Sequence, residues 1–302
     1  MVLKMFSFHT LQGRFFLFHH SSGINFSTMS FPFGKKAESD TKKALKSLIA
    51  HELKTNGPSH KYIYLVINTD KPLARERDYV PRIIPVPNRM AKASESSILL
   101  ITKDPSTPYR EPILKKGSPT EDLFKDIMPL KKLRSLSKTT KSLKKLFSDY
   151  EVVVADHRVH HLLPDILGEV FYRGHKRVPF MVQLAKPDGV PVKKQDKVEK
   201  CDPKYVRDQV RSICKNTFYI PARDGTITVK VGYVDSTADE VTQNIASVVE
   251  FLKNPKFKPA GGVLKHNNQI RGLFVKTNES ASLPIYKRVD EKKEDLDDID
   301  DE

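Results

Sequence analysis

Five basic side chains that could hold phosphate follow the first strand-like run of the chain. They are Lys71, Arg75, Arg77, Arg82 and Arg89. The planar guanidinium of arginine can pair with two phosphate oxygens or with the edge of a guanine. Prolines 81, 85 and 87 stiffen the same segment and limit the entropy that is lost on binding. The alternative is a solvated connection whose prolines only shape an extended segment.

A second set of residues could bind a metal or hydrolyse a bond: Asp156, His157, His160 and His161, just past an apolar strand. Open α/β sheets place their ligands at that end of their strands. No Glu completes an HExxH pattern, however, and Asp156 is predicted to cap a helix. Cys214 falls on an apolar helix face, which favours a core position over a nucleophile. We therefore predict no catalytic residue, no metal site and no cofactor.

Net charge indicates the class of partner. The chain of 302 residues carries +15, and its last thirteen residues contribute −7 of that sum, so the rest of the chain carries +22. Such a surplus favours a polyanion, nucleic acid above all, and makes binding sensitive to salt. A protein that is kept soluble by its lysines is the alternative. The acidic residues 289–302 are predicted to be a disordered tail.

Cysteine usage and hydropathy exclude three classes of protein. The two cysteines form no Cys-x-x-Cys pair, which argues against a disulfide scaffold and a zinc module. No apolar run approaches the ~20 residues that a membrane span needs, so no membrane partner is expected. Length and composition together predict a soluble protein of two domains.

The first 37 residues contain no acid and include four cations beside the apolar cluster Phe15 to Phe18. This composition resembles a mitochondrial transit peptide. The alternatives are a disordered extension and an upstream start codon, with Met29 as the true first residue.

The first two blocks of the chain alternate strands with helices. Apolar spacing predicts a helix over Thr41–Leu53, and Tyr62–Ile67 is a continuous apolar run that predicts a strand buried on both faces. Strands are also predicted at Ser97–Thr102 and Glu151–Ala155, with helices at about Thr120–Met128, over Lys131–Lys145, and after Asp156. Strands that alternate with helices indicate parallel βαβ units, and hence a Rossmann-like domain over about residues 95–180.

A third block follows a lysine-rich linker. Asp202-Pro203 predicts the start of a helix, and Ile227 to Val231 alternate as in a half-exposed strand. Thr237 and Glu240 form a predicted capping box that opens another helix. A last strand is predicted from about Ile270 to Lys276.

Five strings make the chain resemble the ribosomal protein L1 family: VPRIIPVP (80–87), ADHRVHHLLPDILG (155–168), KCDPKYVRDQVRSICKNTFYIP (200–221), VGYVDSTADEVTQNI (231–245) and FVKTNESASLPIY (274–286). The resemblance covers about residues 40–288. It implies an α/β fold in which an α/β sandwich domain is built from both chain ends, here 39–94 and 184–288. A Rossmann-like βαβ domain, here 95–183, is inserted between them, and residues 1–38 become a disordered or spurious extension.

The same resemblance implies a function. It is closest to the eukaryotic L1-domain proteins of ribosome biogenesis, associated with the U3 small nucleolar ribonucleoprotein and the small-subunit processome. We therefore expect a nucleolar, non-enzymatic factor in rRNA processing whose partners are pre-rRNA and processome assembly factors, with no small-molecule substrate. A mitochondrial large-subunit ribosomal protein of the same family and a protein-interaction scaffold are the alternatives.

The closing strand and loop occupy the position that the family uses for RNA. The resemblance implies RNA contacts there from Lys276, Thr277, Asn278, Ser280 and Ser282. True stalk proteins of the family carry Ser/Thr-x-Thr-Met-Gly-Pro at this place, but the present loop lacks Met-Gly-Pro and contains Glu279. A glutamate would repel RNA phosphates. The loop therefore favours an assembly factor over a stalk protein.

Overall fold

The computed structural model describes residues 30–57, 60–74, 78–173, 177–187, 199–221, 223–264 and 269–288. Its helices are α1 (Gly34–Asn56), α2 (Thr107–Leu114), α3 (Leu130–Leu136), α4 (Thr140–Asp149), α5 (His157–His160), α6 (Leu163–Tyr172), α7 (Pro203–Lys215) and α8 (Ala238–Lys253). Its strands are β1 (Tyr62–Thr69), β2 (Arg82–Ile84), β3 (Ile98–Thr102), β4 (Asp126–Pro129), β5 (Val152–Asp156), β6 (Phe180–Val182), β7 (Thr217–Tyr219), β8 (Thr226–Tyr233), β9 (Ile270–Lys276) and β10 (Leu283–Lys287).

Strands from both ends of the chain form one antiparallel sheet in the order β10-β9-β1-β8. Helices α1 and α8 cover one of its faces, where Leu45 and Leu48 of α1 meet Val248 and Leu252 of α8 in a single core with the inward residues of the strands. This is the composite sheet. Burial of these apolar side chains is the main force that holds the two chain ends together.

The burial of strand β1 differs from the prediction. Tyr62–Ile67 was expected to be buried on both faces, but Ile63, Leu65 and Ile67 are buried against the helices while the alternate residues are only half-buried. The reason is that the strand pairs antiparallel with both of its neighbours, and such sheets are free to expose one face. Tyrosine and valine continue the apolar run without requiring full burial.

The inserted part holds a parallel sheet in the order β4-β3-β5-β6. Side chains of α3, α4 and α6 pack on one face, and those of α2 and α7 pack on the other. Strand β3 is fully buried, as a central parallel strand between two helical layers should be. The predicted fold class, a composite α/β domain with a Rossmann-like insertion, is therefore confirmed.

Between the two sheets, β2 pairs with β7 in a short antiparallel ribbon. Helix α7 follows the inserted segment in the chain, yet its Val206, Val210 and Ile213 pack against the inserted sheet. The boundaries at 95 and 184 stay a prediction, and packing associates α7 with the insertion. Most of the predicted extension, residues 1–29, lies outside the described residues, as do the tail from residue 289 and the linker core 188–198.

Three predicted helices differ from the structure. Helix α1 begins at Gly34 rather than at Thr41, because Phe31 and Ala37 join the core and extend its buried side. The first turn of α1 therefore lies within residues 1–38, which the sequence predicts to be a disordered or spurious extension. The helix predicted over 120–128 is wrong: Ile127 and Met128 are both buried in strand β4, which pairs with β3. The helix is instead α2, in the proline-rich segment, with a proline in its first turn.

The basic run 131–145 forms two helices rather than one. Thr139 adopts an extended conformation (φ −122°, ψ 130°) between α3 and α4, and its hydroxyl donates to that of Ser142 at 2.7 Å. Elsewhere the predicted starts are confirmed. Asp156 and Asp202 accept from backbone N–H groups at their helix starts, and Thr237 and Glu240 form the reciprocal capping box.

We expect Gly262→Ala to lower the free energy of unfolding by about 2 kcal/mol or more. Gly262 has φ +59°, a left-handed conformation that costs other residues about 1–2 kcal/mol. A methyl group there would also lie 2.6 Å from the carbonyl oxygen of Asn254. Gly117→Ala is the matched control, because Gly117 has φ +80° with no atom within 4 Å of the added carbon. Equal losses in urea unfolding would show that crowding at Gly262 is unimportant.

Candidate nucleic-acid interface

The composite sheet has one face that α1 and α8 do not cover, the open face. At its β8 end this face borders a cleft that Tyr62, Lys230 and Tyr233 share with Arg177 and Phe180. The alternate residues of the strands point to the open face: Tyr62, Tyr64, Val66 and Asn68 of β1, Thr226, Thr228 and Lys230 of β8, and Phe274 and Lys276 of β9. All of them are half-buried except Thr228, which is exposed. The register sets Tyr64 between Lys230 on one side and Lys276 on the other.

Aromatic rings form a row at one end of the open face, the aromatic row of His60, Tyr233, Tyr62 and Tyr64. The ring centroids of His60 and Tyr233 lie 4.0 Å apart in a stacked arrangement, and those of Tyr233 and Tyr62 lie 4.7 Å apart. Tyr62 and Tyr64 follow at 6.3 Å, tilted. The outer ring, His60, is 73% exposed and is held by a 3.0 Å contact between its Nδ1 and the Asp235 carboxylate. The row therefore has one exposed ring, His60, followed by three half-buried tyrosine rings whose orientation is fixed by the sheet.

Two lysines flank the row. The ammonium nitrogen of Lys230 lies 3.9 Å from the centre of the Tyr62 ring, a cation–π contact. Burial, together with the charge of Arg177, lowers the pKa of Lys230 to about 8. Lys276 stands opposite Tyr64, whose hydroxyl hydrogen-bonds with Asn278. Burial is the main cause that raises the pKa of the Tyr64 phenol.

This combination of groups suits unpaired nucleotides. Aromatic rings on an open antiparallel sheet can stack bases, and stacking contributes ~1–3 kcal/mol per base. Neighbouring lysines can neutralise the phosphates between those bases. Of the residues that the sequence proposed for RNA contact, Lys276 and Asn278 lie on or beside this surface.

The loop after β9 uses two of its predicted contact residues internally. Thr277 is fully buried, and its hydroxyl donates to the Glu52 carboxylate of α1 at 2.6 Å. Thr277 and Ser280 also exchange bonds, each backbone N–H donating to the other hydroxyl at 2.9 and 3.1 Å. Thr277 and Ser280 therefore shape the loop. Asn278 and Ser282 are the predicted contacts whose side chains are exposed there.

Glu279, which the sequence presents as repulsive to RNA, has a partner in the structure. Lys61 donates to its carboxylate at 2.6 Å and also lies 3.6 Å from Glu52. The hydrogen bond from Lys61 to Glu279 is the main cause that raises the pKa of this lysine. Part of the glutamate charge is compensated locally, which reduces the repulsion that was expected from the sequence.

The five cations proposed after the first strand take different environments. Arg75 and Arg77 lie outside the described residues. Lys71 is exposed just beyond β1, whereas Arg82 on β2 pairs with Asp78 at 3.1 Å and lies 5.9 Å from the Tyr219 ring. Arg89 is exposed in a cleft of about 1020 Å³ that it shares with Arg207, Arg211 and Lys215 of α7. The described members are therefore not one cluster, and their role in RNA binding stays a prediction.

An ionic network fills the carboxyl edge of the inserted sheet, where such sheets hold ligands. Arg158 pairs with the buried Asp156 and with Glu199, and Tyr109 and Lys103 also bond to Glu199. Burial alone would raise the pKa of Asp156, but hydrogen bonds from His157 and Arg158 outweigh it and hold that pKa below its usual range. The same balance lowers the pKa of Glu199 to about 2, with Tyr109, Arg158 and Lys103 as its donors.

The histidines beside this network show no common site. His160 is buried, its Nε2 lies 2.9 Å from the carbonyl oxygen of Pro179, and burial lowers its pKa. In the ranges that the structure describes, no three His, Cys, Asp or Glu side chains are grouped so as to hold a metal ion. The helices in those ranges are also too short or too polar to cross a membrane.

Sequence reasoning missed the aromatic row and Lys230. Tyr62 and Tyr64 were assigned to a doubly buried strand, so they were not considered as contact residues. Their spacing of two, with the half-exposed alternation of β8, is the signal that could have placed them on one face. The contact of His60 with Tyr233 joins residues on opposite sides of the insertion, and no local pattern predicts it.

Comparison with known proteins adds an independent line of evidence. A model of the Ribosomal protein L1p/L10e family matches residues 30–281. The Saccharomyces cerevisiae protein named ribosome biogenesis protein UTP30 is 47% identical over 264 residues, which cover 85% of this chain and 94% of that relative. Two Schizosaccharomyces pombe proteins, both named as putative ribosome biogenesis proteins, are 26% identical. One match covers 74% of this chain and 54% of the relative, and the other covers 81% and 77%.

We expect Thr277→Val to lower the free energy of unfolding by about 1–3 kcal/mol, because the carboxylate of Glu52, 2% exposed, loses a donor. Thr277→Ser keeps the hydroxyl and should lose much less. Thermal and urea unfolding of both variants check this. A valine variant as stable as the serine variant would mean that the bond between α1 and the loop contributes little.

Proposed function

The chain belongs to the ribosomal protein L1p/L10e family, and we propose that it is a non-enzymatic ribosome assembly factor that binds pre-rRNA through the open face of its composite sheet. Family membership and relatives named for ribosome biogenesis support the assembly role. The aromatic row with its flanking lysines carries the proposal that this surface meets RNA.

The open face favours unpaired RNA over a duplex. The deep major groove of A-form RNA hides its base edges from side chains, whereas unpaired bases can be splayed out and stacked on aromatic rings. Lys230 and Lys276 stand on either side of Tyr64, so a strand that crosses β1 at this point brings its backbone near both. We propose loops or single-stranded segments of pre-rRNA as the ligand.

Scaffolding, without turnover, is the proposed mode of action. The edge of the inserted sheet that would hold a substrate is occupied by Arg158, Asp156 and Glu199 of the chain itself. At the finer level we propose the small-subunit processome as the site of action and the nucleolus as the compartment. The inserted domain is then free to meet neighbouring assembly factors.

Crosslinking in cells should recover pre-rRNA with the tagged protein. If pre-rRNA were not enriched over other RNAs, the proposed function would be refuted.

In solution we expect Tyr64→Ala to weaken binding of unpaired RNA about ten-fold, because stacking contributes ~1–3 kcal/mol per base. Tyr64→Phe keeps the ring and should bind nearly as the unchanged protein does. If the alanine variant bound as tightly as the phenylalanine variant, the open face would be excluded as the base-stacking surface.

RNA affinity should fall as the pH rises from about 7 to about 9. Lys230 has a pKa lowered to about 8, so it loses its charge in this range, whereas an unperturbed lysine titrates near 10.4. Lys230→Arg keeps a charge at all these values and should flatten the pH dependence. Fluorescence anisotropy with a short unpaired RNA measures both proteins. A Lys230→Arg variant with the same pH profile would show that Lys230 does not contact the phosphates.

A further inference from the structure

Helices α3 and α4 expose a surface of unusual composition on the inserted domain. Leu133, Leu143 and Leu146 anchor the two helices in the core of that domain, and most of their polar side chains are exposed on the other side. We name this surface the basic helix pair. Its seven cations, all exposed, are Lys131, Lys132, Arg134, Lys138, Lys141, Lys144 and Lys145.

The other exposed side chains of the helix pair are small hydroxyls, apart from Asp149 at the end of α4. From residue 131 to 148 they are Ser135, Thr139, Thr140 and Ser148, and the segment contains no acid. Leu136 and Phe147 are half-buried because they pack against the core of the inserted domain, and the guanidinium of Arg177 lies 4.2 Å from the Phe147 ring. Up to residue 148 the surface therefore consists of positive charge and hydroxyl groups, without an exposed apolar group, and Asp149 adds one carboxylate at the end of α4.

Cations elsewhere in the described chain are often paired with carboxylates. Lys61, Arg82 and Arg158 each have a carboxylate partner within 4 Å. Within the described ranges, Lys132 is the one member of the helix pair with such a neighbour, Asp126 at 4.0 Å. Six like charges on two short helices, with Lys138 in the turn between them, repel one another, and this cost is relieved when an external anion binds.

The composition also separates the two classes of polyanion that could bind. Stable protein interfaces centre on aromatic residues, methionine and arginine, and they are depleted in lysine. Six of the seven cations here are lysines, and no exposed apolar side chain could anchor a protein partner. Lysine acts as a strongly hydrated point charge that suits phosphate, and serine and threonine hydroxyls can donate to phosphate oxygens.

We propose that the basic helix pair is a second RNA contact, which binds the phosphate backbone independently of sequence. This inference rests on the proposed function, since it takes the RNA held by the composite domain and adds a contact on the inserted domain. In this arrangement the open face stacks unpaired bases, and the basic helix pair binds the phosphates of the RNA segment beside them. Contacts of this kind set orientation and affinity without selecting a base.

The test is the salt dependence of binding to an RNA that extends beyond the segment held by the open face. Each phosphate contact contributes a slope of about 0.7 to 0.9 in log affinity against log salt concentration. Lys138→Ala, Lys141→Ala and Lys145→Ala combined should therefore lower the slope by about 2 to 3. Alanine is a strong helix former, which suits Lys141 and Lys145 of α4, and circular dichroism serves to check that the variant is folded.

The matched control removes three exposed lysines from α1, with Lys43→Ala, Lys46→Ala and Lys54→Ala combined. It should leave the slope almost unchanged, because α1 covers the opposite face of the composite sheet. Equal slopes for the helix-pair variant and the unchanged protein would overturn the inference. So would a helix-pair variant that binds RNA normally but no longer binds polyglutamate, since that result assigns the surface to acidic proteins.

These experiments distinguish failure of the proposed RNA-binding function from failure of the second RNA contact. If the unchanged protein does not bind RNA, the proposed function is refuted. If it binds RNA, and Tyr64→Ala weakens that binding while the helix-pair variant does not change the slope, only the second contact is refuted.

Discussion

Strand β1 is hydrogen-bonded along both edges, to β8 and to β9, and the rest of the architecture depends on this double pairing. Val66 of the central strand has Thr228 on one side and Phe274 on the other, so the amino-terminal strand is complete only when the carboxyl-terminal third of the chain has folded against it. Everything between β1 and β8 must leave the sheet and return. The antiparallel sheet therefore holds together the two ends of the segment that contains the parallel insertion. Helices α1 and α8 pack on one face of this antiparallel sheet and complete its core.

The same pairing creates the candidate interface. An antiparallel strand with one covered face places alternate residues on the other, and in β1 those residues include Tyr62 and Tyr64. Strand β8 contributes Lys230 and Tyr233, and β9 contributes Lys276. A one-residue shift in the pairing of β1 would send the tyrosines into the core and expose Ile63 and Leu65. Register and the proposed RNA surface are therefore set by the same burial of apolar side chains.

The charged side chains discussed above fall into two groups, those that form ion pairs within the protein and those that are exposed at its surface. The network of Arg158, Asp156 and Glu199 satisfies its ions internally and closes the edge of the inserted sheet, and Lys61 with Glu279 does the same beside the loop after β9. The basic helix pair instead leaves its cations at the surface. A paired charge is partly cancelled by its partner at a distance, so these surface cations contribute more to the field that a polyanion meets than the paired ones do.

The sequence by itself determined the positive net charge, from which a polyanion partner is predicted, and also the family, the order of most elements and several helix starts. Charge, motifs and capping residues act locally or over the whole chain, so they can be recognised without the fold. The sequence could not place the helix at 107–114 or the strand at 126–129. Ile127 and Met128 are neighbours in the sequence and are both buried because their strand pairs with β3, so no helical or strand periodicity in the sequence indicates it. The sequence could not show that Thr277 and Ser280, whose role in RNA contact stays a prediction, also hydrogen-bond within the protein. Only the tertiary structure joined His60 to Tyr233, because that contact follows from strand pairing between distant parts of the chain.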